Sequence, residues 1–362
     1  MSPHSTDVTD WLRLALVPGI SPRAQRALLT AFGSPSAAVG ASVTAAAAII
    51  GAEAAHALAR GPEPGLLERT LRWLAEPGRH LVALGDAAYP KALLEAGDPP
   101  CVLYVQGRCE LLNAPAIAVV GSRNATPQGV RDAEAFAEAF SRAGFCVVSG
   151  LAIGVDAAAH RGGLKAAGSS IAVLGTGPDR VYPASNRALA HALAEHGCLA
   201  TEYPLGTPAV PGNFPRRNRL ISGLASGVLV VEAALESGSL ITARLAAEQN
   251  REVFAIPGSI HSTLSKGCHA LIRQGAKLVE CAQDVLSELG HVGVPAQAPP
   301  VQQAAPHPLL DLVGHEPFSL EQLAQRTGKP AAALAAQFTL LEVEGRIAAL
   351  PGGWFQRVEH AI

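Results

Sequence analysis

Seven short apolar runs recur at intervals from residue 116 to residue 280, and they constrain the fold more than any other feature of the chain. They are AIAVVG (116–121), FCVVSG (145–150), IAVLGTG (171–177), CLATE (198–202), GVLVVEA (227–233), EVFAIPG (252–258) and KLVE (277–280). Amphipathic stretches with helical spacing separate them. Apolar runs of this length, bounded by turns, are strands buried on both faces; alternation with helices makes a mostly parallel sheet covered on each side. Right-handed crossovers then place the C-terminal ends of the strands on one edge. With 362 residues, 49% of them hydrophobic, the chain has material for such a core and for flanking domains, which excludes the disordered class. The expected fold class is α/β, an extended Rossmann-like sheet occupying residues 81–289.

The flanks read differently. Residues 8–75 carry apolar positions at helical spacing (Trp11, Leu12, Leu14, Leu16; Leu28, Leu29, Phe32) with breaks at Pro18-Gly19, Gly33 and GPEPG (61–65). They predict a domain of short helices, which resembles SAM and helix-hairpin-helix domains. LVPGIS (16–21) fits either a phosphate-meeting hairpin turn or an apolar bend between packed helices. Residues 291–308, rich in Pro, Ala and Gln, predict a flexible linker. In 309–360 a capping box at Ser319 and Gln322 opens one helix and Ala331–Glu344 forms a second. A hairpin turns at Pro351-Gly352-Gly353, completing a winged-helix pattern. That second helix carries no Lys or Arg, so this domain is expected to meet protein rather than duplex DNA.

The formal charge is −2, so any polyanion site must be a local patch. Six cysteines form no CxxC pair and no His cluster has zinc spacing, which predicts buried reduced thiols, no metal and a cytoplasmic location. The N-terminus has no basic and apolar leader pattern, and the Ala-rich stretch 37–59 is broken by Gly40, Gly51, Glu53 and His56; no membrane insertion is expected.

Candidate chemistry gathers at the ends of the apolar runs. Gly121, Gly150, Gly154, Gly175, Gly177 and Gly258 fall there. In open α/β sheets that edge binds ligands, and bare backbone amides and helix N-termini favour anions. The first turn, GSRN (121–124), lacks the dinucleotide pattern GxGxxG and instead offers Ser122 and a phosphate-forking Arg123. In NFPRRNRLISGL (213–224), Arg216, Arg217 and Arg219 crowd a helix N-terminus beside Phe214 and Asn218, and residues 211–220 contain no acid. Cations at that end cost about 0.3–1 kcal/mol each, which a bound anion would offset. Phe214 can stack on a base or anchor its loop. Glu232 ends a strand, and Ser237, Gly238, Ser239 and Thr242 open the next helix as a phosphate nest. Asp156 and His160, four apart, can pair as acid and base or bond locally; Lys266-Gly267 opens a further helix by the edge.

Several blocks in order resemble the DprA/Smf family: VVGSR, SGLAIGVDAAAH, VLGTGPDRVYPASNRAL, FPRRNRLISGL, VEAALESGSLITARLA and GCHALIRQGA, with YPKALLEAGDPPCVLYVQG (89–107) as lead-in. The resemblance covers nearly the whole chain. It implies a homodimer, without cofactor or catalytic residue, that binds single-stranded DNA on an extended Rossmann fold. It also implies that the recombinase RecA is recruited onto that DNA during natural transformation. By resemblance Arg123, Arg217 and Arg219 are the principal phosphate contacts. Two departures are visible: His269 stands where the family usually has Asn, and Arg216 adds a second cation beside Arg217. The alternatives are a phosphoribohydrolase-like nucleotide hydrolase, with Glu232 or Asp156 as the carboxylate, and a mononucleotide sensor. The PGGxGTxxE signature of the former is missing from the sheet edge; the chain's PGG at 351–353 lies in the C-terminal hairpin.

Overall fold

All seven apolar runs become strands of one sheet in the computed structural model, which describes residues 5–290, 307–314 and 317–358. The nine strands are β1 (Arg79–Ala83), β2 (Val102–Gly107), β3 (Ala116–Val120), β4 (Cys146–Ser149), β5 (Ser170–Val173), β6 (Cys198–Thr201), β7 (Gly227–Val230), β8 (Glu252–Ala255) and β9 (Lys277–Leu278). Their spatial order is β1-β2-β6-β5-β4-β3-β7-β8-β9. From β6 to β9 every pairing is parallel, whereas β2 joins β6 and β1 joins β2 antiparallel. The order β5-β4-β3-β7-β8-β9 is the doubly wound Rossmann arrangement, and strand order reverses between β3 and β7. The antiparallel pair β1 and β2, outside the seven runs, extends the sheet.

Side chains alternate along these strands and fill both faces. Ala118, Val148, Ile171, Val173, Val228 and Val230 face one core, with Leu220, Ile221 and Leu224. Ile117, Val119, Val147 and Leu229 face the other, with Phe136, Phe140 and Val155. Burial on both faces explains why the strands read as continuous apolar runs rather than alternating ones.

Before the sheet, six helices run from Ser5 to Leu74 around Leu14, Val17, Leu28 and Leu58. Ser21, Ser34 and Ser42 cap three of them through their hydroxyls. Val17 and Ile20 of the LVPGIS bend are buried, and Gly19 has φ +82°. At the other end, helix Leu320–Thr327 opens with the Ser319/Gln322 capping box. Helix Ala331–Val343 follows, then a hairpin of Ile347–Leu350 and Trp354–Arg357. The segment Phe318–Ser319 adds a third strand, completing a winged helix. The expected linker 291–308 falls outside the described residues except for 307 and 308. Among the described residues no helix is long and apolar enough to cross a membrane.

Candidate nucleic-acid interface

The reversal of strand order between β3 and β7 opens a cleft of about 620 Å³ at the C-terminal edge of the sheet. Helix Asn213–Leu224 forms one wall. Its residues Phe214, Arg217, Asn218 and Ile221 line the cleft, the 3- and 4-residue spacing of a single helix face. Asn213 anchors this helix: its side-chain amide donates to the Gly175 carbonyl (3.1 Å) and its own carbonyl accepts from Tyr203 Oη (3.2 Å). Opposite stand Gly121, Ser122 and Arg123 of the turn after β3, with Arg123 exposed. Ser237, Gly238, Ser239 and Thr242 line the cleft from the first turn of helix Gly238–Glu248. Ser237 caps that helix, accepting from the Ser239 amide at 3.3 Å. The positive end of this helix's dipole makes an anion-favouring end of the cleft.

Arg217 is the buried cation of the site, 4% exposed. Its Nη1 donates to the carbonyls of Gly150 (2.8 Å) and Val173, and its Nε is buried without a hydrogen-bond partner. Burial lowers the guanidinium to about 10, with nearby Asp156 opposing the shift, so it stays charged at neutral pH. A β-carbon on Gly150 would fall 2.5 Å from Arg217 Nη1, so the guanidinium packs directly on this glycine and would have to move for any larger residue.

The 150–154 turn is held from beneath. Leu151 has φ +59°, a left-handed conformation for a branched residue. The Asp156 carboxylate accepts from the amides of Gly150 (3.1 Å) and Ala152 (3.3 Å). His160 Nε2 accepts from the Leu151 amide (3.2 Å), which leaves Nδ1–H to donate to Ser170 Oγ (2.7 Å). Ser170 in turn donates to the Val147 carbonyl (2.7 Å). Burial, then the charge of Arg217, pushes His160 down to about 3, so it is neutral. Burial raises Asp156 and Arg217 pulls it back. Of the two readings of Asp156 and His160, the local one describes the structure: each bonds to the glycine turn, as separate supports rather than to one another. Asn186 adds a third, donating to the carbonyls of Leu151 (2.9 Å) and Ala152 (3.2 Å). Gly154 (φ +79°) lets the turn touch the next one: a β-carbon there would lie 2.4 Å from the Ser122 carbonyl.

Other expected site residues are not brought to the cleft. Arg219 is two positions from Arg217, about 200° around a helix, and points the other way. It pairs with Glu202 and lies 3.9 Å from Asp98. Arg216 sits on that second face too, 4.0 Å from Glu202. The anion that relieves these two arginines is thus the protein's own Glu202. Glu232 accepts from the Thr126 amide (2.9 Å) and hydroxyl (2.7 Å), bracing the start of helix Pro127–Arg142 rather than facing a ligand. Lys266 donates to the Ile260 carbonyl. Gly175 seats the Phe214 ring, while Gly177 packs on the Pro204 carbonyl and Gly267 on that of Ala233; none of these three lines the cleft.

Tyr182 was missed. It is half exposed on the rim, its ring centroid 5.4 Å from that of Phe214. An aromatic in an irregular loop has no periodicity to betray it; its place within VYPASN was the one signal. Glu236 and Asn124 also line the cleft. Among the described residues no cluster of three or more His, Cys, Asp or Glu could hold a metal ion.

A family profile described as DNA recombination-mediator protein A matches residues 80–290, and one described as the DprA winged helix domain matches 293–353. The chain belongs to the DprA/Smf family. Protein Smf of Escherichia coli is 45% identical over 300 residues, 80% of either chain. The solved DprA of Streptococcus pneumoniae superposes with TM-score 0.69 at 35% identity, covering 80% of this chain and 99% of that one. DNA processing protein A of Helicobacter pylori, described for its single-stranded DNA binding mode, superposes with TM-score 0.53 at 30% identity over 58% of this chain and 95% of its own. DprA/Smf membership gives the chain a DNA-processing role in recombination.

Proposed function

We propose that the chain binds single-stranded DNA, without sequence preference, in the cleft between β3 and β7, and helps load RecA during DNA uptake and recombination. The observation that carries this reading is the pairing of chemistries across the cleft. Arg217 and Arg123, the Gly121–Ser122 turn and the Ser237–Ser239 helix start offer phosphate donors, while Phe214 and Tyr182 offer ring faces. Phosphate contacts supply affinity without sequence information, and stacking tolerates every base. Arg216, Arg219, Glu232 and Lys266 are left out of the proposed contact set. The reading takes from the family its homodimer and its cytoplasmic setting, the latter in keeping with six free cysteines. It also keeps the division into helical, Rossmann-like and winged-helix domains.

A binder rather than a hydrolase is favoured because Glu232 is engaged by the Thr126 amide and hydroxyl, and Asp156 Oδ2 by the amides of Gly150 and Ala152. Two carboxylates line the cleft: Glu236 is exposed, without the burial that tunes a catalytic acid, and the buried Asp156 is held by the Gly150 and Ala152 amides beside Arg217. The test is a titration with oligothymidylates of increasing length, a duplex and a mononucleotide. Affinity is expected to rise steeply with length and to favour the single strand. Equal affinity for mononucleotide and oligomer would convert the reading to a nucleotide sensor, and release of free base would convert it to an enzyme.

A further inference from the structure

The face of helix Asn213–Leu224 turned away from the cleft carries a chain of alternating charge that reaches the N-terminal bundle. Glu202, immediately after β6, accepts from Arg219 Nη2; both side chains are largely buried, 5% and 12% exposed. Arg219 Nε lies 3.9 Å from Asp98 Oδ2. Asp98 Oδ1 accepts from Arg26 Nη2 at 2.7 Å, and Arg26 Nη1 donates to the Pro99 carbonyl. Arg26 stands on helix Pro22–Phe32 of the bundle. Two contacts reinforce this path. Cys101 Sγ donates to the Pro22 carbonyl at 3.8 Å. The far end of the cleft helix is pressed onto the lead-in, since a β-carbon on Gly223 would lie 2.8 Å from Leu93.

We propose that the N-terminal bundle positions the phosphate-gripping helix through the ladder Arg26–Asp98–Arg219–Glu202. This rests on the single-strand reading of the cleft and assigns the bundle a bracing task rather than a DNA contact of its own. The geometry argues against the rival idea that Glu202 merely occupies cations destined for DNA. Arg219 is enclosed on the side opposite Arg217, so freeing it would leave a buried unpaired charge, not a phosphate donor. Its Nε and Nη1 already lack hydrogen-bond partners, and so does Glu202 Oε1. The ladder therefore depends on charge, and loss of any rung is felt along it.

The test measures binding of a labelled oligothymidylate to the full-length chain by fluorescence anisotropy across a salt series, for wild type, Arg26→Ala, Asp98→Asn and Glu202→Gln. Each variant is expected to bind about three- to tenfold more weakly, within the range of coupling between residues of one charge network. The slope of log affinity against log salt should stay at the wild-type value, since no phosphate contact is lost. The double variant Arg26→Ala/Asp98→Asn should be no weaker than the worse single one. If Glu202→Gln fails to fold, the two peripheral variants carry the result. Unchanged affinity in Arg26→Ala and Asp98→Asn overturns the ladder while leaving the cleft reading intact. A flattened salt slope in Arg26→Ala overturns it too, by making the bundle a direct phosphate contact, as does tighter binding by Glu202→Gln. Absence of binding by the wild type overturns the single-strand reading, and this inference with it.

Discussion

The cleft at the sheet edge and the exposed side of helix Ala331–Val343 occupy the places where Rossmann folds and winged helices meet their ligands, yet their chemistry is opposite. The cleft brings together two guanidiniums, helix-start amides and two rings. The helix buries Leu334, Phe338 and Leu341 and shows the outside Ala332, Ala333, Ala336, Leu340 and Val343, without a Lys or Arg. Val343 is 82% and Leu340 57% exposed. Fold position alone thus says little about ligand class; the side chains decide it. The winged helix also touches the sheet domain, where Arg131 Nη1 donates to the Gly345 carbonyl at 2.8 Å.

This contrast can be broken or sharpened in three ways. The largest effect should come from Gly150→Ala, whose methyl would fall 2.5 Å from Arg217 Nη1 and 2.7 Å from Asp156 Oδ2. The guanidinium must shift, at a cost of about 3 kcal/mol of stability, with loss of single-strand binding. Chemical denaturation together with anisotropy would show it, and a stable variant with full affinity would break the assignment.

Next is acid lability. His160 is neutral in the fold with a value lowered from 6.5 to about 3. Between those values the unfolded chain binds the extra proton, so stability is complete above about 6.5 and falls as pH drops towards 3. From pH 7.5 to pH 5 the loss should be about 2 kcal/mol, and His160→Asn should remove that slope. Among the described residues the winged-helix domain buries no histidine, so the slope belongs to the sheet domain. Buried carboxylates act in the opposite direction over this range, Asp132 being raised to about 6, so the comparison of the two chains decides: a His160→Asn chain with the wild-type pH dependence would contradict the assignment.

The smallest effect is expected on ending the chain at residue 290. Single-strand affinity should stay within about twofold, because the removed domain has no cation on helix Ala331–Val343. A larger loss, or tight duplex binding by the full chain that vanishes on truncation, would erase the contrast between the two regions.

The sheet was legible because burial on both faces forces continuous apolar runs, and glycines mark their ends. The antiparallel strands β1 and β2 were not among those runs, since β1 precedes the lead-in and β2 lies within it, away from the alternating strand–helix pattern. Within the site, Arg217 and Arg219 were grouped because they are close in sequence. Helical geometry separates them, and the 214, 217, 218, 221 spacing already contained the face that lines the cleft. What the sequence could not show was the distant partner: Glu202 taking Arg219, and Thr126 taking Glu232, are tertiary choices with no local trace. The glycines were found for a partly mistaken reason. Gly150, Gly154 and Gly175 make room for Arg217, the Ser122 turn and Phe214 rather than presenting amides to a ligand.

The most direct measurement is the salt dependence of oligothymidylate binding by the full-length chain with and without Arg217→Ala. Loss of one buried charge-assisted contact should weaken binding by about ten- to a hundredfold and make the log–log slope shallower by about 0.7. An Arg217→Ala chain that folds and binds with wild-type affinity and slope would show that the strand does not lie in this cleft.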